Sequence, residues 1–188
     1  MFKVISIVGL AFLTLVTFAS GQTDAQQPKL EMHRVGVNAD DGSGWHLAVS
    51  TKGSFAIRMP IPFNDFTTHE PSTGATTHVV GAKSSEGIKF AATESPASSK
   101  TPADLSAIPK SFSSNPANKV SDLSRSSKDG TDIVAFSVSN PTSTAHFKYI
   151  KTGTALYLLS IEAPIAHRDV GSAAKEQFFG SFKLKGKP

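Results

Sequence analysis

Residues 145–164 read AHFKYIKTGTALYLLSIEAP, and this stretch decides the fold class that the sequence predicts. In its first half, apolar residues alternate with His146 and Lys148, which is the period of a half-buried strand. The triplet Lys151-Thr152-Gly153 then predicts a turn. In the second half, apolar residues fall on both faces, which is typical of a central strand covered on both sides. The stretch therefore predicts two adjacent antiparallel strands at the centre of a sheet.

Similar patterns predict the remaining elements on either side of this pair. A hairpin is expected at 44–59, a weaker strand pair at 78–82 with 88–93, and a single strand at 133–139. A short helix is expected at 102–112, a C-terminal helix at 170–179 and a short last strand at 181–184. Residues 22–43 lack a sustained period and predict a flexible lead-in. The sum is one domain over 44–186 with an α+β fold, in which helices flank an antiparallel β-sheet.

The first 21 residues have the pattern of a cleaved signal peptide. Lys3 precedes an apolar run over 4–18, and the small residues Ala19, Ser20 and Gly21 follow it. The run is shorter than the roughly 20 apolar residues that span a bilayer, which favours cleavage over a retained anchor. We therefore expect a periplasmic or extracellular protein without a stable membrane span after cleavage.

Composition excludes several kinds of chemistry. The chain has no cysteine, so it can form neither disulfides nor thiolate metal sites, and a lipoprotein anchor is impossible. Its net charge is only +4, and its one basic cluster is Lys183, Lys185 and Lys187. Nucleic-acid binders carry larger basic patches than this, so we expect no nucleic-acid partner.

No catalytic, cofactor-binding or metal site is predicted from motifs. Six histidines are present, none at the spacing of a known metal motif, and they are His33, His46, His69, His78, His146 and His167. The nucleophile motif Gly-x-Ser-x-Gly is absent. We therefore expect no cofactor and no bound metal.

One loop is a candidate partner surface. Two prolines stiffen residues 60–66, and Ile61, Phe63 and Phe66 could then present an apolar patch. Alternatively, these side chains fold back as a lid on the sheet. We favour the lid, because loop aromatics commonly pack on their own core.

The order of elements and their endings carry a family resemblance. The segment Gly53-Ser54-Phe55-Ala56-Ile57-Arg58-Met59-Pro60, the strand pair of 145–164 and the closing Phe178-Phe179-Gly180-Ser181-Phe182 resemble the PsbP-like superfamily, which includes many bacterial exported proteins. The resemblance implies an α/β/α sandwich and an accessory or binding role. It assigns no functional residue, because likeness of fold does not carry function.

These observations favour an exported, non-enzymatic binding or accessory domain that assists an envelope protein or complex. Two alternatives stay open. A carrier of a small apolar ligand would need a pocket between sheet and helix. A hydrolase of unrecognised type would need a histidine and a carboxylate that converge, with perturbed pKa values.

Overall fold

The computed structural model describes residues 27–97, 101–102 and 104–186. The predicted signal peptide lies outside these residues. Within them the strands are β1 Lys29–Val37, β2 His46–Val49, β3 Phe55–Met59, β4 Phe63–Glu70, β5 Ala75–Lys83, β6 Lys89–Pro96, β7 Lys119–Lys128, β8 Thr131–Ser139, β9 Ser143–Lys151, β10 Ala155–Pro164 and β11 Lys183–Leu184. The helices are α1 Ala107–Ser113 and α2 Arg168–Gly180, and a turn of 3-10 helix, Ile165–His167, comes directly before α2.

The strands form two sheets. The large sheet has eight strands in the order β1-β4-β5-β6-β10-β9-β8-β7, and the small sheet has three in the order β11-β3-β2. All of the pairings are antiparallel. The predicted central pair is confirmed as β9 and β10, with Leu159 opposite Lys148. The predicted hairpin of 44–59 is confirmed as β2 and β3.

The two faces of the large sheet have separate cores. The α2 face, which carries Leu159 and Ile161, is covered by α2 and the small sheet. The opposite α1 face carries Phe136 and Phe147, and the Phe112 ring of α1 packs on both, at 5.4 and 5.1 Å between ring centroids. Strand β10 supplies apolar residues to both cores, which explains its run of leucines.

Helix α2 closes the α2 face through two adjacent rings. Phe178 is fully buried and Phe179 is 9% exposed, and the Phe178 ring lies 5.6 Å from the Phe90 ring. Gly171, earlier in the helix, lies against β10, where an added Cβ would come within 3.1 Å of the Ala163 Cβ. The predicted packing of this helix on the β9 and β10 strands is thus confirmed.

The predicted fold class, an α+β sandwich flanked by helices, is wrong. Strands hold 54% of the described residues and helices 15%, so the fold is dominated by its sheets. Three strands lie outside the predicted ones: β1 falls in the predicted lead-in, β4 begins in the predicted loop, and β7 covers residues for which no element is predicted. Strand β7 is an exposed edge strand without apolar alternation. In β1, the apolar pair Leu30 and Met32 is out of phase with Val35 and Val37, so no period is sustained along the strand.

Among the described residues, no helix has the length and apolar character needed to cross a membrane.

Candidate functional site

The three residues of the predicted partner surface do not lie together. Phe63 is 1% exposed and belongs to the core of the α2 face. Ile61 is half-buried and packs against that same core. Phe66 is half-buried three residues further along β4, and residues an odd number apart in a strand point to opposite faces. The loop residues therefore divide between the two sides of the sheet.

Three histidines gather on the α2 face near the β1 edge. Thr67 Oγ1 lies between His33 Nε2, at 2.8 Å, and His78 Nδ1, at 3.0 Å. His69 Nε2 and His33 Nδ1 lie 3.5 and 3.7 Å from the Glu31 carboxylate. Burial lowers the pKa of His78, so its ring is neutral at pH 7. No group of three or more potential ligands in the described part of the chain could hold a metal ion.

The buried carboxylate of Asp65 links the small sheet to the large sheet through hydrogen bonds. Asp65 Oδ2 accepts hydrogen bonds from the backbone N–H of Thr51 at 2.7 Å and from its hydroxyl at 2.6 Å. The same oxygen pairs with Arg34 Nη2 at 2.8 Å. These contacts occupy the turn between β2 and β3, so we assign this cluster a structural role.

Strand β7 forms one edge of the large sheet. It is ten residues long, and Val120 is its one residue that is not exposed. Its pairing with β8 shifts register between Ser121 and Ser124, which marks a bulge, and Asp122 adopts a positive φ of 53° there. From residue 124 to 128 the ladder is regular, and it carries Arg125 and Lys128.

The bulge turns Asp122 toward the α2 face, where a chain of hydrogen bonds begins. The Ser137 hydroxyl donates to Asp122 Oδ2 at 2.8 Å. Ser137 Oγ also lies 2.8 Å from His146 Nδ1, and His146 Nε2 lies 3.1 Å from the hydroxyl of Ser172 on α2. Asp122, Ser137, His146 and Ser172 thus form a relay from the edge strand to the helix surface.

Counting hydrogens assigns the histidine tautomer in this relay. A carboxylate only accepts, so the single hydroxyl hydrogen of Ser137 points to Asp122. Ser137 must then accept from His146 Nδ1–H, which leaves Nε2 with a free lone pair. The hydroxyl of Ser172 donates to that lone pair. This is the proton arrangement that a histidine base and a serine nucleophile require.

The two ends of the relay differ in their surroundings. His146 is 6% exposed, and Ser172 is exposed. Burial and the nearby Lys175 cation lower the pKa of His146, while the Asp122 carboxylate raises it by a smaller amount. The ring is therefore neutral at pH 7, which is the form that can accept a proton.

The four residues of the relay match no sequence motif. Asp122 and Ser137 are 15 positions apart, Ser137 and His146 are 9 apart, and His146 and Ser172 are 26 apart. No motif has this spacing, because three adjacent strands and a helix bring the side chains together.

The chain has no match among protein-family models or among curated proteins. The resemblance to the PsbP-like superfamily therefore stays a prediction from the sequence.

Proposed function

We propose that the chain is an exported domain that binds an extended, acidic segment of an envelope protein along the outer edge of β7. Export is supported by residues 1–21, with their charged start, short apolar run and small residues. The observation that carries the binding mode is the exposed edge of β7, which has no described strand beyond it.

A sheet edge binds extended chains through its backbone. Every second residue of an edge strand turns its N–H and C=O groups away from the sheet, and an incoming strand can pair with them. Residues 124–128 of β7 offer a regular stretch of this kind, whereas the register of β1 with β4 shifts twice. The β7 edge is therefore the better template.

Charge selects the class of partner. Lys119, Arg125 and Lys128 give β7 three cations, and its one acid, Asp122, accepts a hydrogen bond from Ser137. A second copy of β7 would bring like charges together, which disfavours self-pairing. An acidic segment would complement the strand.

The surface beside β7 fits a peptide better than a small apolar ligand. A groove of about 380 Å³ lies between the residues before α1 and the β7–β8 pair, and Asp104, Arg125 and Asp132 contribute to its walls. It opens to solvent beside the edge strand. Uncharged side chains of a bound segment could enter it, whereas its two carboxylates and one guanidinium suit a small apolar ligand poorly.

The binding test compares two fluorescent peptides, an acidic one of alternating valine and glutamate and a basic one of alternating valine and lysine. We expect the acidic peptide to bind more tightly by fluorescence anisotropy. Arg125→Glu with Lys128→Glu should weaken its affinity by about 2- to 30-fold, since each exposed ion pair contributes about 0.2–1 kcal/mol. Lys52→Glu with Lys83→Glu changes net charge equally at distant exposed sites and is the matched control.

Alternate N-methylation separates strand pairing from simple charge attraction. Methylating one alternating set of peptide nitrogens should abolish binding, because those N–H groups face the edge, and methylating the other set should spare it. Equal affinities for the two methylated peptides, or equal effects of the two double variants, would overturn the proposal.

Export has its own test. Protein recovered from its host should lack residues 1 to about 21 by intact mass. Full-length protein in the membrane fraction would overturn this part of the proposal.

A hydrolase is the second candidate function, because the relay from Asp122 to Ser172 brings a neutral histidine and a carboxylate to one serine. This site does not include the outer edge of β7.

A further inference from the structure

We propose that Ser172 is a nucleophilic serine, activated by His146, that takes an acyl group from a carboxylic ester. This inference rests on the second candidate function, the hydrolase, and names its nucleophile and its substrate class. The proposal stands on the hydrogen-bonded relay and on the exposure of Ser172 at its outer end.

Each residue of the relay has a distinct part. Ser172 supplies the attacking oxygen, and His146 Nε2, at 3.1 Å, is placed to take its proton. Ser137 and Asp122 are positioning residues, because they hold the His146 tautomer without touching the substrate. Asp122 is fixed by the β7 bulge, so an irregularity in an edge strand sets the proton position at the helix surface.

The helix approaches the sheet closely enough because of Gly171. A methyl group there would lie 3.1 Å from the Ala163 Cβ and 3.5 Å from Ile161 Cγ2. The 3.1 Å contact is shorter than an ordinary van der Waals contact, so α2 or β10 would have to shift by a few tenths of an ångström. The missing side chain therefore lets the next residue, Ser172, reach His146 on the neighbouring strand.

The proposed reaction has two balanced halves. Ser172 Oγ attacks the ester carbonyl carbon while its proton passes to His146 Nε2, and the carbonyl oxygen takes the negative charge. The intermediate collapses, and the alcohol leaves with the proton from His146. Water then attacks the acyl-serine, gives a proton to His146, and the acid departs as Ser172 regains its hydrogen.

Helix α2 carries a cation on the same side as Ser172. Lys175 is three residues after Ser172, and residues three apart lie on the same side of a helix. The Lys175 ammonium group lies 4.0 Å from the Glu176 carboxylate, and its charge lowers the pKa of His146. Lys175 is our candidate for stabilising the oxyanion.

The first experiment treats the protein with a fluorophosphonate probe and maps the modified residue by peptide mass spectrometry. We expect labelling at Ser172 and none above background in Ser172→Ala. Ser85→Ala removes an exposed serine from the turn between β5 and β6 and is the matched control, which should label like the parent. An unlabelled Ser172 in folded protein would overturn the proposal.

The positioning role needs a measurement that a structural contact would not change. Asp122→Asn keeps the size of the side chain, and asparagine tolerates the positive φ. The asparagine amide can donate to the Ser137 hydroxyl, and Ser137 can then donate to His146 Nδ1. The hydrogen of the neutral ring then lies on Nε2, which can no longer accept the proton of Ser172. We expect labelling to slow by about 100-fold, the low end of what a general base contributes. An unchanged rate in this variant would overturn the relay.

The pH profile identifies the base. Two charged groups act on His146, Lys175 of α2 and Asp122 of β7. The residues that pair with His146 on β8 and β10 are Ser137 and Ile161, and neither of them titrates. Labelling should rise with pH through a midpoint below 6.5 and level off by about pH 7. A rate that keeps rising into alkaline pH would mean that His146 is not the base.

Acyl transfer to water is measured with p-nitrophenyl acetate. We expect a burst of nitrophenol, equal to the protein concentration, that Ser172→Ala lacks. The peptide-binding assay should be unchanged in Ser172→Ala, so failure of either proposal leaves the other standing.

Discussion

Replacing Phe178 by alanine tests the core beneath α2. Phe178 is 0% exposed, and its ring lies 5.6 Å from Phe90 and 5.8 Å from Phe179. Truncation removes the ring from both neighbours and leaves a cavity between the helix and the sheet. Such substitutions cost about 3–5 kcal/mol, and lost ring pairs add to the cost of lost burial.

The assay is equilibrium unfolding in urea, followed by circular dichroism. A domain of this size loses about 2 kcal/mol of stability per molar urea. A loss of 3–5 kcal/mol therefore lowers the unfolding midpoint by about 1.5–2.5 M. Val170→Ala is the control, because Val170 is an apolar residue of the same helix that is 58% exposed. Its stability should change by no more than about 0.5 kcal/mol.

If the urea midpoint of Phe178→Ala equals that of Val170→Ala, the Phe178 ring is not part of the core beneath α2. The ring would then contribute no more than an exposed side chain, and α2 could not be the cover of the α2 face. Phe179→Ala should also lower the midpoint, but by less, because its ring is slightly exposed.

Three further predictions concern ionisable groups. Asp65→Ala should lower the free energy of unfolding, measured in urea, by about 2–3 kcal/mol, because the partly exposed Arg34 loses its carboxylate partner. A decrease below about 1 kcal/mol would contradict the structural role of Asp65. Burial lowers the pKa of His78 and His146, so these histidines take up protons at a higher pH in the unfolded chain than in the folded one. The free energy of unfolding should therefore fall as pH drops below 6.5, and equal urea midpoints at pH 5 and pH 7 would contradict this. Burial raises the pKa of Tyr149 above its usual 10.0, so above pH 10 stability should fall as pH rises, and tyrosinate absorbance should show one ring that ionises only on unfolding.

The candidate relay was beyond the reach of sequence reasoning, and the reason is physical. A serine becomes reactive through the groups that surround it in space, and Ser172 meets His146 across a helix–sheet contact. The unusual backbone of Asp122 arises from a bulge, which is a property of two paired strands. Local composition around any of these residues gives no sign of either.

The partner surface on residues 60–66 illustrates the same limit. Two prolines and three large apolar residues fit a rigid loop, yet β4 begins at Phe63 and continues to Glu70. The ladders with β1 and β5 impose the extended backbone and send Phe63 into one core. Pairing with distant strands outweighed the local pattern.

The elements that bury one face could be located from the residues alone, because their burial leaves a period. The alternation in 145–164 predicted β9 and β10, and the apolar stripe of 170–179 predicted α2, because residues that must face a core repeat with the geometry of their element. The edge strands and the relay follow from tertiary contacts. Strands β1 and β7 are extended because neighbouring strands supply their hydrogen bonds, and such long-range pairing requires no sustained apolar period in an exposed strand. The sheet-dominated fold and the contact between Ser172 and His146 both follow from that pairing and from the packing of α2 on the sheet.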